Sequence, residues 1–190
     1  MTTIFAFDSA TQVTSCALLI DGEVVGERLT EARSVLVAAD ELVRGAGLER
    51  DDLGALVVGT GPGSFTAIRI GLATAHGLGL ALGIPAAGVS TFHAFQGGVP
   101  VLDAKRGQVF TPGPTVGPPD ELEVEGRRLV GDGALRYRDL FEAAGAEIPP
   151  EHDPVHLPAA RLLASHAGAF GPVERLEPLY VRAPDAAPSR

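Results

Sequence analysis

The sequence predicts an α/β protein in which three strands precede the first helix, and three observations carry that reading. TIFAFD at 3–8 and ALVVG at 55–59 are short unbroken apolar runs, suited to strands covered on both faces. Asp21-Gly22 separates two β-rich runs within SCALLIDGEVVGERLT, the strongest short-range signal for a tight hairpin. GTGPGSFTAIRIG at 59–71 turns from an apolar strand through a glycine-rich bend into a helical pattern.

The elements follow in order. Strand 3–8 and the hairpin give a three-strand meander. Ser34 is a candidate N-cap for a helix over 34–46, with Val35, Ala39, Leu42, Val43 and Ala46 on one face and Gly45 and Gly47 as its stop. Strand 55–59 leads through GPGS, with Ser64 as cap, into a helix over 65–83 that ends at Gly83. IPAAGVST supplies the next strand, so the order is β-β-β-α-β-α-β, closing near Thr91. VPVLDAKRGQVF then repeats the plan of IFAFDSATQVTSCAL, and Asp103 stands where Asp8 stood. Such an echo predicts two related lobes, 1–96 and 97–190. TPGPTVGPP, with four prolines and two glycines in nine residues, breaks the echo, since it cannot continue a ladder in the middle of a sheet. The second lobe is therefore expected to be reduced: RRLVGDG as a short strand and turn, ALRYRDLFEAAG and LPAARLLASHAGAF as helices, and PLYVRAPDAAPSR as a tail on the surface.

Composition narrows the function. Fifteen Lys and Arg against 24 Asp and Glu give a formal charge of −9, which repels a nucleic-acid backbone, so tRNA or any other polyanion would be met only indirectly or locally. The single cysteine, Cys16, excludes a disulfide framework, nothing at the start reads as a secretory signal, and a cytoplasmic protein is expected. Residues 65–84 are apolar, yet Arg69, His76 and four glycines in that span point to a packed helix and no membrane. The glycine-rich bend is no P-loop, because Gly63 is followed by Ser64-Phe65 without a lysine. Nor is it a nucleophile elbow, since Thr66 stands where that motif needs glycine. His152 and His156 are spaced for a helical metal pair, but Pro149, Pro150 and Pro154 place them in a loop. The helix over 65–83 puts Phe65, Arg69, Leu72, His76 and Leu80 on one stripe while remaining apolar nearly all round. It needs cover on more than one side. With Leu36, Val37 and Asp40 of the first helix, the residues Arg69, Leu72, His76 and Leu80 form the expected partner face.

Asp8, Ser9 and Thr11 between two strands resemble the first phosphate loop of the actin, sugar-kinase and Hsp70 superfamily, with Asp103 as the echoed position. No glycine-rich adenosine motif follows in the second half, so these are expected to be degenerate nucleotide-type loops with no catalytic residue and no metal. The longer stretches are more specific. GPGSFTAIRIGLATAHGLGLALGIPAAGVST is similar to the TsaB/YeaZ signature GPGSFTGLRIG and its continuation, and FAFDSAT, LDAKRGQVF, VGDGA and PLYVRAPDA match that family in order. Three positions depart from it: Arg33-Ser34-Val35 where His-Ser-Glu is common, Ala67 in place of glycine, and an early proline run after Val109. The resemblance implies an actin-like (ASKHA, ribonuclease H-like) two-lobed fold with a reduced second lobe. It further implies a non-catalytic subunit in the synthesis of threonylcarbamoyladenosine beside the tRNA anticodon, which binds a TsaD-like catalytic subunit and a TsaE-like ATPase, or a second copy of itself when alone. ATP and metal are then expected in the partner subunits, and no cofactor is bound by this chain alone. The rival reading is a small ATP-dependent sugar- or acetate-kinase-like enzyme using Asp8 and Asp103 around magnesium.

Overall fold

A computed structural model of the chain describes residues 2–182. The last four residues of PLYVRAPDA, Ala183 to Ala186, and the rest of the tail lie outside the described residues.

The first half is built as the apolar runs dictate. Strands β1 (Thr3–Asp8), β2 (Thr14–Ile20) and β3 (Glu23–Thr30) form an antiparallel meander that turns at Asp21-Gly22. Helix α1 (Val35–Gly45), strand β4 (Ala55–Gly59), helix α2 (Phe65–Leu82) and strand β5 (Ala86–Val89) follow. The sheet order is β3-β2-β1-β4-β5, with β4 parallel to both β1 and β5. Ser64 caps α2 by accepting the Ala67 N–H, and Gly83 closes the helix in the left-handed conformation. Ser34 holds the N-cap position of α1 without a side-chain cap bond, because a 3-10 turn over Ala32–Ser34 leads directly into the helix.

Alternation along the strands sorts the core into two layers. Phe5, Phe7, Cys16, Leu18, Leu56 and Val58 point to one face, where Val35, Ala38, Ala39, Leu42 and Val43 of α1 and Ile68, Leu72 and Ala75 of α2 cover them. Ala6, Ala17, Leu19 and Val57 point to the other face and meet Leu102, Phe110, Val130, Ala160 and Leu163 from the second half. Both faces are covered, which is why these strands read as unbroken apolar runs.

In the second half β6 (Val99–Pro100) pairs in parallel with β10 (Leu129–Val130), while β7 (Leu102–Lys105), β8 (Gln108–Thr111) and β9 (Thr115–Gly117) form an antiparallel sheet. The proline run behaves differently from expectation. Pro112-Gly113-Pro114 makes a tight turn, and Thr115–Gly117 rejoins the ladder as an edge strand, a place where proline neighbours are tolerated. ALRYRDLFEAAG is divided into α3 (Asp132–Arg136) and α4 (Arg138–Ala143) at Tyr137. LPAARLLASHAGAF forms only one short helix, α5 (Arg161–Ala164). Its leading amides are capped from outside, Ala159 N–H by Ala94 O and Ala160 N–H by Ser15 Oγ, each at 2.8 Å, and at its other end the Leu162 carbonyl accepts the Ser165 hydroxyl at 2.9 Å.

Candidate functional site

Three turns and one tail segment converge on a cleft of about 270 Å³ between the two halves. The β1–β2 turn contributes Ala10 and Thr11, the bend into α2 contributes Gly63 to Thr66, and the end of β7, at its turn into β8, contributes Asp103 and Lys105. Asp132, at the start of α3, and Leu179 to Arg182 complete the wall. The bend before α2 answers to the β1–β2 turn: Ser64 N–H donates to Ala10 O at 2.7 Å, and a Cβ at Gly63 would overlap that carbonyl. Only glycine lets the two loops approach so closely.

The two echoed aspartates have different fates. Asp8 is fully buried and does not line the cleft. Its Oδ1 accepts the Ala10 N–H at 2.8 Å and its Oδ2 accepts the Thr91 hydroxyl at 2.7 Å. Beneath it, a Cβ at Gly59 would overlap the carboxylate. Thr91 Oγ1 in turn accepts the Gly61 N–H at 3.1 Å, so Asp8 fastens the end of β1 to the glycine-rich bend. Burial pushes the Asp8 carboxyl above the usual carboxylate range, against the smaller pull of the Thr91 hydroxyl and the Ala10 amide. Asp103 does reach the cleft. Its Oδ2 pairs with Lys105 Nζ at 2.7 Å and with Arg136 at 3.4 Å, and its Oδ1 accepts the Lys105 N–H at 2.9 Å. Asp132 Oδ1 accepts the Asp103 N–H at 3.0 Å. Burial chiefly raises the Asp132 carboxyl, and the neighbouring Asp103 charge adds to the rise.

The remaining loop residues are also held internally. Ser9 lies under α2 and donates to Ala67 O at 3.0 Å, so of the loop residues expected from sequence only Thr11 and Asp103 face the cleft. Thr11 Oγ1 donates to Val13 O at 2.9 Å. His156 is buried, its Nδ1 accepting the Gly131 N–H while Nε2 lies 3.1 Å from Pro149 O. That is a structural role, and among the described residues no three His, Cys, Asp or Glu side chains cluster with metal-binding geometry. Thr91, Asp132 and the 179–182 segment were not singled out from sequence as site residues. A single threonine gives no signal, whereas VGDGA and PLYVRAPDA marked the neighbourhood of the other two.

On the opposite side of the sheet, α1 and α2 leave much of their surface bare. Leu36 and Val37 are 55% and 60% exposed and Leu80 is 60% exposed. Asp40 is half-buried and ion-paired to Arg44 at 3.1 Å. Arg69 is exposed, with its guanidinium carbon 5.3 Å from the Phe65 ring centroid. His76 is half-buried, and its Nε2 makes no hydrogen bond. Leu72 departs from the expected stripe, being only 6% exposed and part of the core. At about 100° per residue it falls roughly 40° from the centre of the buried arc, whereas Arg69 and Leu80 fall more than about 100° away. The stripe straddles the edge of the buried face. By length and composition α2 could cross a bilayer, yet here it lies against β4, and only Ile68, Gly71, Leu72, Ala75 and Gly79 are buried.

Comparison with known proteins agrees with this geometry. The family model for TsaD, tRNA N6-adenosine threonylcarbamoyltransferase, matches residues 30–112. An uncharacterised protein of Mycobacterium tuberculosis is 35% identical over 99% of this chain and 95% of its own length. The tRNA threonylcarbamoyladenosine biosynthesis protein TsaB of Bacillus subtilis is 34% identical over 57% of this chain and 53% of its own length. The solved structure of YeaZ from Pseudomonas aeruginosa superposes with a TM-score of 0.79 at 25% identity, covering 95% of this chain and all of that one. The α/β actin-like fold expected from the sequence is therefore the fold observed. The chain belongs to the TsaB/YeaZ family, whose named members are tRNA threonylcarbamoyladenosine biosynthesis proteins.

Proposed function

We propose that this chain is a non-catalytic scaffold and activating subunit of the threonylcarbamoyladenosine machinery. A TsaD-like catalytic subunit docks on the α1–α2 face and a TsaE-like ATPase joins the assembly. The observation that carries this reading is the uncovered apolar surface of Leu36, Val37 and Leu80, which lies on two helices rather than on a loop. The closed state of the Asp8 turn supports it, since a carboxylate fully buried between Ala10 and Thr91 does not line the cleft, where a phosphate's counter-ion would have to sit. ATP and metal then belong to the partner subunits, tRNA is met through them, and the protein works in the cytoplasm. The division into lobes 1–96 and 97–190 is part of the same reading.

Reconstitution tests it. The chain alone, given ATP, threonine, bicarbonate and tRNA, should make no modified nucleoside, while addition of the catalytic subunit and the ATPase should start synthesis. Light scattering of the chain with the catalytic subunit should show a complex that Leu80→Glu abolishes while the variant stays folded. Steady ATP turnover by the isolated chain, lost in Asp8→Asn, which keeps the shape of the turn, would instead establish the kinase-like reading.

A further inference from the structure

The last described segment, 178–182, crosses the cleft from one wall to the other. Leu179 N–H donates to Thr60 O at 2.8 Å, just beyond β4. The Tyr180 ring lies 4.9 Å from the Phe65 ring at 31°, and Arg182 donates to Gln108 Oε1 on β8 at 3.0 Å. One five-residue strap is thus fastened to the bend before α2 on one side and to the three-stranded sheet on the other. Phe65 is the joint. It lines the cleft, carries the strap's tyrosine, and holds the guanidinium of Arg69, which stands on the exposed side of α2 with Leu80. Tyr180 is 39% exposed, so its contact with Phe65 is open to solvent on one side.

We propose that the strap 178–182 is a clasp coupling the cleft to the α1–α2 face. Seated, the Tyr180 ring fixes Phe65, and through it Arg69, in the arrangement that the catalytic subunit meets; lifting the strap from the cleft weakens that docking. By linkage the effect is reciprocal, and docking of the partner tightens the strap. The inference rests on the docking reading above, and the residues that act in it are positioning residues rather than catalytic ones.

The test uses the full chain and the TsaD-type catalytic subunit. Tyr180→Ala should weaken the complex about tenfold and Gln108→Ala, on the far wall of the cleft, about threefold. Both variants should melt within a degree or two of wild type, and Tyr180→Phe, which keeps the ring, should restore full affinity. Hydrogen exchange at the Leu179 amide should slow when the partner binds. Failure of wild type to form any complex removes the docking reading itself. A wild-type complex that Leu80→Glu destroys, but that Tyr180→Ala leaves at full strength with Leu179 exchange unaltered, overturns the clasp alone. Equal loss in Tyr180→Ala and Tyr180→Phe also overturns it, because the ring contact would then not be the agent.

Discussion

The cleft and the helix face are made from the same element, α2, and they are finished in opposite ways. At its N-terminal end the polar groups in and beneath the cleft are answered from within: Asp103 by Lys105 and Arg136, Ser64 by Ala10, and the buried Asp8 by Ala10 and Thr91. Further along, Leu80 and, on the neighbouring helix, Leu36 and Val37 are left bare. Polar groups satisfied internally add little to ligand binding, whereas uncovered apolar area is the part of a surface that association stabilises. In the function proposed above, the contrast separates an internally satisfied cleft from the face on which a partner docks.

The largest effect that sharpens the contrast comes from two leucines eight residues apart. Leu72→Glu places a carboxylate in the core and should destabilise the fold by at least about 4 kcal/mol, through lost packing and a buried charge. Leu80→Glu should change stability by less than about 0.5 kcal/mol. Urea unfolding of both variants checks this. Equal behaviour would mean that the two positions do not lie on opposite sides of the edge of the buried arc.

Next comes the Asp8 turn. Asp8→Ala strands the Ala10 amide and the Thr91 hydroxyl in a buried place and should cost about 2–4 kcal/mol. Asp8→Asn keeps the shape and should fold. Burial raises the folded pKa of Asp8 above its ordinary 3.8, so the native state binds more protons than the unfolded chain between those two values. The stability associated with this group is therefore present at low pH and lost as pH rises through the folded pKa. Denaturant midpoints measured from the ordinary value upward should show Asp8→Asn gaining on wild type as pH increases. A gap that shrinks with pH would mean that the carboxylate is stabilised in its ionised form.

The smallest effect belongs to the open side of the cleft. Lys105 is more than half exposed, and Lys105→Ala should cost less than about 1 kcal/mol, screened further by salt. A loss comparable to that of Asp8→Ala would make the β7–β8 turn as structural as the β1–β2 turn and erase the difference between the echoed aspartates.

The sequence made the first half legible because local signals and burial agree there. Asp21-Gly22, Ser64 and Gly83 mark ends, and the apolar runs between them are covered on both faces in the fold. The second half was harder because its elements are short and side-chain bonds compete with helical ones. LPAARLLASHAGAF has helical composition, yet the Ser165 hydroxyl takes the Leu162 carbonyl that a continued helix would use. The proline run looked like the end of a ladder because edge and centre strands cannot be told apart in one dimension. Leu72 was placed on the partner face because a helical stripe has a direction but no label for its buried edge. Asp8 and Asp103 echo each other in the sequence, but only packing shows that Asp8 is sealed away from the cleft by Ala10 and Thr91, while Asp103 lies at the cleft wall with its carboxylate paired to Lys105 and Arg136. The Phe65–Tyr180 contact joins residues far apart in the chain, and no spacing rule predicts it.

The central claim, that function lies on the α1–α2 face and not in the cleft, is tested most directly by calorimetric titration of the catalytic subunit into four chains: wild type, Leu36→Glu, Leu80→Glu and Lys105→Ala. The account predicts that wild type and Lys105→Ala bind alike, while both glutamate variants, folded by circular dichroism, give no measurable heat of binding. Full binding by the two face variants together with loss in Lys105→Ala would contradict it.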